Sequence, residues 1–116
     1  MSVMSKLIVT GGRNFDDKWL FTEKIESHLP SLVIVGDCPT GADKFAREWC
    51  KSFDVKCTVF KADWKKFGKS AGPRRNEAMI DNNPDATVLA FPTGGPGTKH
   101  CIDYAKKNGL EVYIYE

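Results

Sequence analysis

The chain has 116 residues, enough for one domain spanning 1–116 and little more. Its 41% hydrophobic and 28% charged residues are an ordinary globular balance, and a formal net charge of +2 is too small to argue for nucleic acid or an anionic membrane surface as partner. Four dispersed cysteines (38, 50, 57 and 101), none in a C-x-x-C pair, and two histidines predict no metal site.

In chain order, Lys6 to Thr10 reads as a buried strand closed by Gly11 and Gly12. Met1 to Lys6 leads straight into it, which predicts no signal peptide. No apolar run is long enough to span a bilayer. With dispersed cysteines, this points to reduced thiols in the cytoplasm. Asp16 and Asp17 open a helix, because short acidic side chains accept from free N–H groups and suit the positive end of the dipole. Phe21, Ile25, His28 and Leu29 are its predicted inner face, and Pro30 ends it. Leu32 to Val35 is a second strand, followed by Gly36, Asp37, Cys38 and Pro39. Ala42, Phe45, Ala46, Trp49, Cys50 and Phe53 recur at helical spacing and predict an amphipathic helix.

Lys56 to Phe60 alternates and is rich in β-formers, a third strand. Ala62 to Pro73 reads as a long polar and aromatic loop, where Trp64 and Phe67 either pack beneath it, the reading preferred for Trp64, or one of them stacks on a base. A short helix is expected from Arg74 to Asn82 and a fourth strand from Ala86 to Phe91. The glycine-rich loop Thr93 to Thr98 leads into a helix that turns Cys101, Ile102 and Ala105 inward and ends at Asn108-Gly109. Leu110 to Tyr115 is the last strand.

Strands alternating with helices predict a Rossmann-like three-layer αβα sandwich. Right-handed crossovers close it as a five-stranded parallel sheet of order 3-2-1-4-5. Ligands of such sheets bind beyond the strand C-termini where the order reverses, here between the first and fourth strands. The loops expected there, Gly11-Gly12-Arg13 and Thr93 to Thr98, are the two most glycine-rich places in the chain. Gly94, Gly95 and Gly97 let backbone N–H groups approach an anion, or they form a plain strand-to-helix turn. Thr98 can cap the helix or donate to a phosphate. Thr10, Gly11, Gly12 and Arg13 repeat the form. Arg13 is either a phosphate clamp or a solvated loop arginine. Gly36, Gly41, Ala42 and Asp43 form the third such loop, where Asp43 either serves the helix terminus or binds ribose hydroxyls. Lys69, Arg74, Arg75 and Asn76 sit where a proline-initiated helix start suits an anion or makes a basic surface. As a loop arginine, Arg75 is expected to matter little for stability.

The runs Val9 to Phe15, Gly41 to Asp43, Ala62 to Trp64, Gly68-Lys69, Ala71 to Asn76 and Phe91 to Thr98 together resemble the YspA-like branch of the SLOG superfamily. The resemblance implies a Rossmann-like fold, a bacterial or phage source, and sensing or processing of a nucleotide-derived molecule without an added cofactor. The branch is similar to the Lonely Guy phosphoribohydrolases, which cleave nucleoside monophosphates at the N-glycosidic bond and are commonly dimers. Their R-K-x-x-M pattern falls on Arg75 to Met79, which makes Arg75 the candidate catalytic residue. Their P-G-G-x-G-T-x-x-E motif falls on Pro92 to Cys101, with one residue inserted after Pro92. Cys101 takes the place of the essential glutamate, and a thiol does not readily stabilise an oxocarbenium-like transition state. The expected partner is thus a bound nucleotide-like small molecule, with hydrolysis as the alternative and a homodimer implied.

Overall fold

A computed structural model describes residues 5–116. Residues 1–4, most of the lead-in from Met1 to Lys6 on which the expected absence of a signal peptide rests, lie outside the described residues. Five strands, β1 (Lys6–Gly11), β2 (Leu32–Gly36), β3 (Lys56–Phe60), β4 (Thr87–Phe91) and β5 (Val112–Ile114), form one sheet. Its order is β3-β2-β1-β4-β5 and every pairing is parallel. The expected α/β architecture is what the chain adopts.

Alternation along the central strands assigns two faces. Leu7, Val9, Val33, Val35, Leu89 and Phe91 pack against helices α1 (Lys18–His28) and α2 (Gly41–Phe53) through Phe21, Ile25, Ala42, Ala46 and Cys50. Ile8, Ile34 and Val88 face the opposite layer, α4 (Ala71–Asp81) and α5 (Pro96–Lys107), through Met79, Ile80, Cys101 and Ala105. The chain changes direction between β1 and β4, which pair as far as Gly11 against Phe91. The crevice beyond that pair is the switch point.

Three local readings need correction. The segment 62–73 is not a loop: it holds a single-turn helix α3 (Trp64–Phe67), a 3-10 turn (Gly68–Ser70) and the start of α4. Asp63 starts α3 by accepting from the Lys66 N–H at 3.1 Å. Pro73 lies in the first turn of α4, where a missing N–H breaks no helical bond. Leu29 is 82% exposed, because it ends α1 in the left-handed region at φ 45° and points away from the sheet. Phe53, in the last turn of α2, is 58% exposed and packs beside Trp49 at 5.2 Å between centroids.

Candidate functional site

The strand-to-helix loops leave β1, β2 and β4 at the same sheet edge, and a cavity of about 780 Å³ opens between them. That size falls within the roughly 300–1,000 Å³ usual for small-molecule sites. Thr10 to Asn14 form one wall, and Gly36 to Thr40 with Asp43 form another. Thr93 to Thr98 form a third, and α4 closes the side with Gly72, Pro73, Arg75, Asn76 and Met79.

The glycines divide into two kinds. A Cβ on Gly11 would stand 2.6 Å from the Ala42 Cβ, and one on Gly12 would collide with Thr93. Gly41 has φ +72°, and a side chain there would strike the Gly12 carbonyl. Gly11 and Gly41 let the first and second loops touch, a contact that Thr40 Oγ1 reinforces by donating to the Arg13 carbonyl at 2.8 Å, and Gly12 lets the first loop meet Thr93 of the third. Gly94, Gly95 and Gly97 are different, since a Cβ on any of them would meet nothing within 4 Å. Packing does not require glycine there; Gly94 is held to glycine by its φ of +93°, whereas Gly95 and Gly97 have neither constraint and leave free backbone facing open space.

Helix termini show a matching division. Away from the cavity, Asp17 caps α1 and Asp63 caps α3 with their own carboxylates. At the cavity, neither Thr40 before α2 nor Gly95 before α5 makes a side-chain cap. Two helices therefore direct uncapped N–H groups and their positive ends toward it.

Gly97→Ala separates cradle from scaffold. The position is helical and unobstructed, so stability should stay level or rise by about 0.5–1 kcal/mol. Affinity for a phosphorylated ligand should fall about tenfold as the backbone loses close approach, about 1.4 kcal/mol. Parallel melting curves and calorimetric titrations check both halves.

Arg75 is the central cation. Its Nη1 donates to Asp37 Oδ1 at 2.7 Å and its Nε to Asn76 Oδ1 at 2.9 Å, which leaves the second Nη1 hydrogen and both on Nη2 for other acceptors. Its side chain is 14% exposed. Gly36 makes room for it: a Cβ there would lie 2.7 Å from Nη1 and 2.8 Å from Asp43 Oδ2. Asn76 also donates to the Gly97 carbonyl at 3.3 Å, tying α4 to the start of α5. Asp43 is 6% exposed, and its Oδ2 accepts from the Cys38 N–H at 3.2 Å. Burial pushes its carboxyl from 3.8 up to about 6, against the opposing pull of Arg75, the Cys38 N–H and Arg47.

Cys101 is fully buried, and desolvation pushes its thiol up to about 11 although the Thr10 hydroxyl and Arg75 pull it down. It therefore stays neutral at physiological pH. Glu77, a carboxylate on α4, lies outside the cavity lining and pairs with His100 Nε2 at 2.8 Å.

The remaining candidates sort by position. Arg13 lines the cavity and is exposed. Thr98 is buried in its wall. Gly41 and Ala42 lie just behind the lining as packing residues. Lys69 is exposed on the 3-10 turn, outside the lining. Arg74 turns away: its guanidinium lies 4.4 Å from the Phe67 ring centroid and its Nε donates to Ser70. Pro92 lines a neighbouring cavity of about 390 Å³ on the far side of the glycine loop. Trp64, expected to pack inside, lines the main cavity instead. Asp37, which follows the second strand, holds Arg75 and accepts from the Ala62 N–H at 3.4 Å.

The profile of the YspA, cpYpsA-related SLOG family matches residues 5–67, from β1 through the end of α3. The chain belongs to that family. The Gene 61 protein of Mycobacterium phage D29 is 34% identical over 119 residues, covering 94% of each chain. For this SLOG protein, membership carries a nucleotide-related role in the coarse sense, and the matched stretch supplies two of the three cavity loops. Among the described residues, no helix is long and apolar enough to cross a membrane.

Proposed function

We propose that the protein binds a nucleotide or nucleotide-derived signal molecule at the C-terminal edge of its sheet, in order to sense or sequester it. One observation carries the reading: the uncapped starts of α2 and α5, three glycines with no packing duty and the Arg75 guanidinium share one cavity. An anion placed there gains from both helix ends and from charge-assisted hydrogen bonds. The protein acts in the cytoplasm, where such ligands are made, and neither a membrane nor nucleic acid is its partner. In keeping with the Lonely Guy hydrolases that its branch resembles, it works as a homodimer; a monomer by light scattering at micromolar concentration would remove that part.

Thermal unfolding against nucleoside monophosphates, NAD, cyclic nucleotides and the matching unphosphorylated nucleosides tests the reading. At a hundredfold excess over Kd a native-state ligand adds about 2.7 kcal/mol. Tm should then rise by several degrees for phosphorylated compounds and much less for nucleosides. A flat response across the panel would reject the proposal.

A second reading, N-glycosidic cleavage, is favoured by Asp43. Its charge and that of Arg75 both bear on the buried Cys101 thiol, at the place where the hydrolases carry their glutamate. A carboxyl near 6 can give and take a proton at neutral pH. In this reading Asp43 supplies the carboxylate from α2 and Arg75 is the catalytic arginine. Base released from a nucleoside monophosphate by the wild type and not by Asp43→Asn would place this reading above binding alone.

A further inference from the structure

Beside the phosphate-directed parts of the cavity stands an aromatic side chain that they do not use. Trp64 lies on its wall and is 55% exposed. An indole buries a large apolar area when covered, so its exposure at a concave wall calls for an occupant. Its seat is defined. Asp63 caps the turn that carries it, and Asp37, which grips Arg75, also holds the Ala62 N–H two residues earlier. The ring edge rests on Gly72, where a Cβ would stand 3.4 Å from Cη2. Nearby Phe67 is already engaged by the guanidinium of Arg74 at 4.4 Å and by Lys66 Nζ at 5.1 Å. Among the described residues, no aromatic ring or cation stacks on Trp64. The other tryptophans lie elsewhere: Trp19 on α1 and Trp49 against the core beside Phe53.

We propose that Trp64 is the stacking platform for a nucleobase, so that the ligand is a nucleotide whose base lies against the indole while its phosphate occupies the loops of β1 and β4. The inference rests on the phosphate-binding reading above and adds the substrate class to it. Stacking accepts any base because each has a π-face. Discrimination among bases would then come from base edges rather than from Trp64.

The test titrates wild type, Trp64→Phe and Trp64→Leu with AMP, GMP, CMP and UMP, and with ribose 5-phosphate as a ligand lacking a base. Wild type should bind the nucleotides roughly tenfold more tightly than ribose 5-phosphate, within the range measured for base–aromatic stacking. Trp64→Leu should remove that margin and leave ribose 5-phosphate affinity unchanged, whereas Trp64→Phe should keep most of it. Nucleotide affinities that ignore residue 64, or an equal loss for ribose 5-phosphate, would overturn the stacking role and leave phosphate binding intact. Failure of wild type to bind both nucleotides and ribose 5-phosphate would overturn both readings.

Discussion

Arg75→Ala is expected to weaken binding of a phosphorylated ligand by roughly ten- to a hundredfold, the loss of a charge-assisted hydrogen bond of about 1.5–3 kcal/mol. The unphosphorylated analogue should be much less affected. Unlike the loop arginine expected from the sequence, Arg75 also bears on the fold. It is largely buried on α4 and pairs with Asp37 at 2.7 Å. Its removal strands Asp37 beside the buried Asp43. Exposed pairs are worth about 0–1 kcal/mol and breaking a fully buried one costs about 3–5 kcal/mol. This half-sheltered pair lies between, so the variant should lose about 2 kcal/mol of stability. Arg75→Lys keeps the charge and gives up the planar fork, so it should recover much of the stability and little of the affinity. Denaturant melts beside calorimetric titrations of all three proteins separate the two roles. Unchanged affinity in Arg75→Ala for both ligand forms would remove the arginine from the site.

The contrast between Arg74 and Arg75 shows how far the sequence can be read. The strand pattern, the sheet order and the clustering of glycine-rich loops at one edge follow from apolar periodicity and crossover handedness, which are local or topological. Which of two adjacent arginines faces the cavity depends on helix phase, and phase depends on where α4 begins. With Gly72 assigned to the loop and Pro73 to the initiating position, the expected start is Arg74, whereas the helix begins at Ala71. Gly72 is where the Trp64 ring rests, a contact across the turn that no window of sequence displays. Likewise Gly11, Gly12 and Gly41 resemble the cradle glycines in sequence and differ from them only in what surrounds them. One local signal does announce α3: Asp63, whose short carboxylate accepts from the Lys66 N–H three residues on.

Asp43→Asn is expected to stabilise the protein at neutral pH and above. The native carboxyl titrates at about 6 against an ordinary 3.8, so between those values the folded state holds more proton than the unfolded chain. Stability from this group therefore falls as pH rises through that window and stays reduced above it. A displacement of that size corresponds to about 3 kcal/mol. Asparagine fills the same volume, can still accept from the Cys38 N–H and carries no charge to bury. The variant should gain about 2 kcal/mol at pH 7.5, and the gain should shrink toward zero near pH 4. A gap of the same size at both pH values would show that burial of charge is not its cause. The ribose-binding reading of Asp43 requires a ligand that uses the charged form. Ribose hydroxyls donating to Asp43 would favour the carboxylate, pull its pKa down and release a proton on binding. Wild-type affinity should then rise with pH between 5 and 7 more steeply than that of Asp43→Asn, in which only the ligand phosphate titrates. Calorimetry in buffers of different ionisation enthalpy counts the released proton directly, and equal proton release from both proteins would leave Asp43 outside the ligand contact.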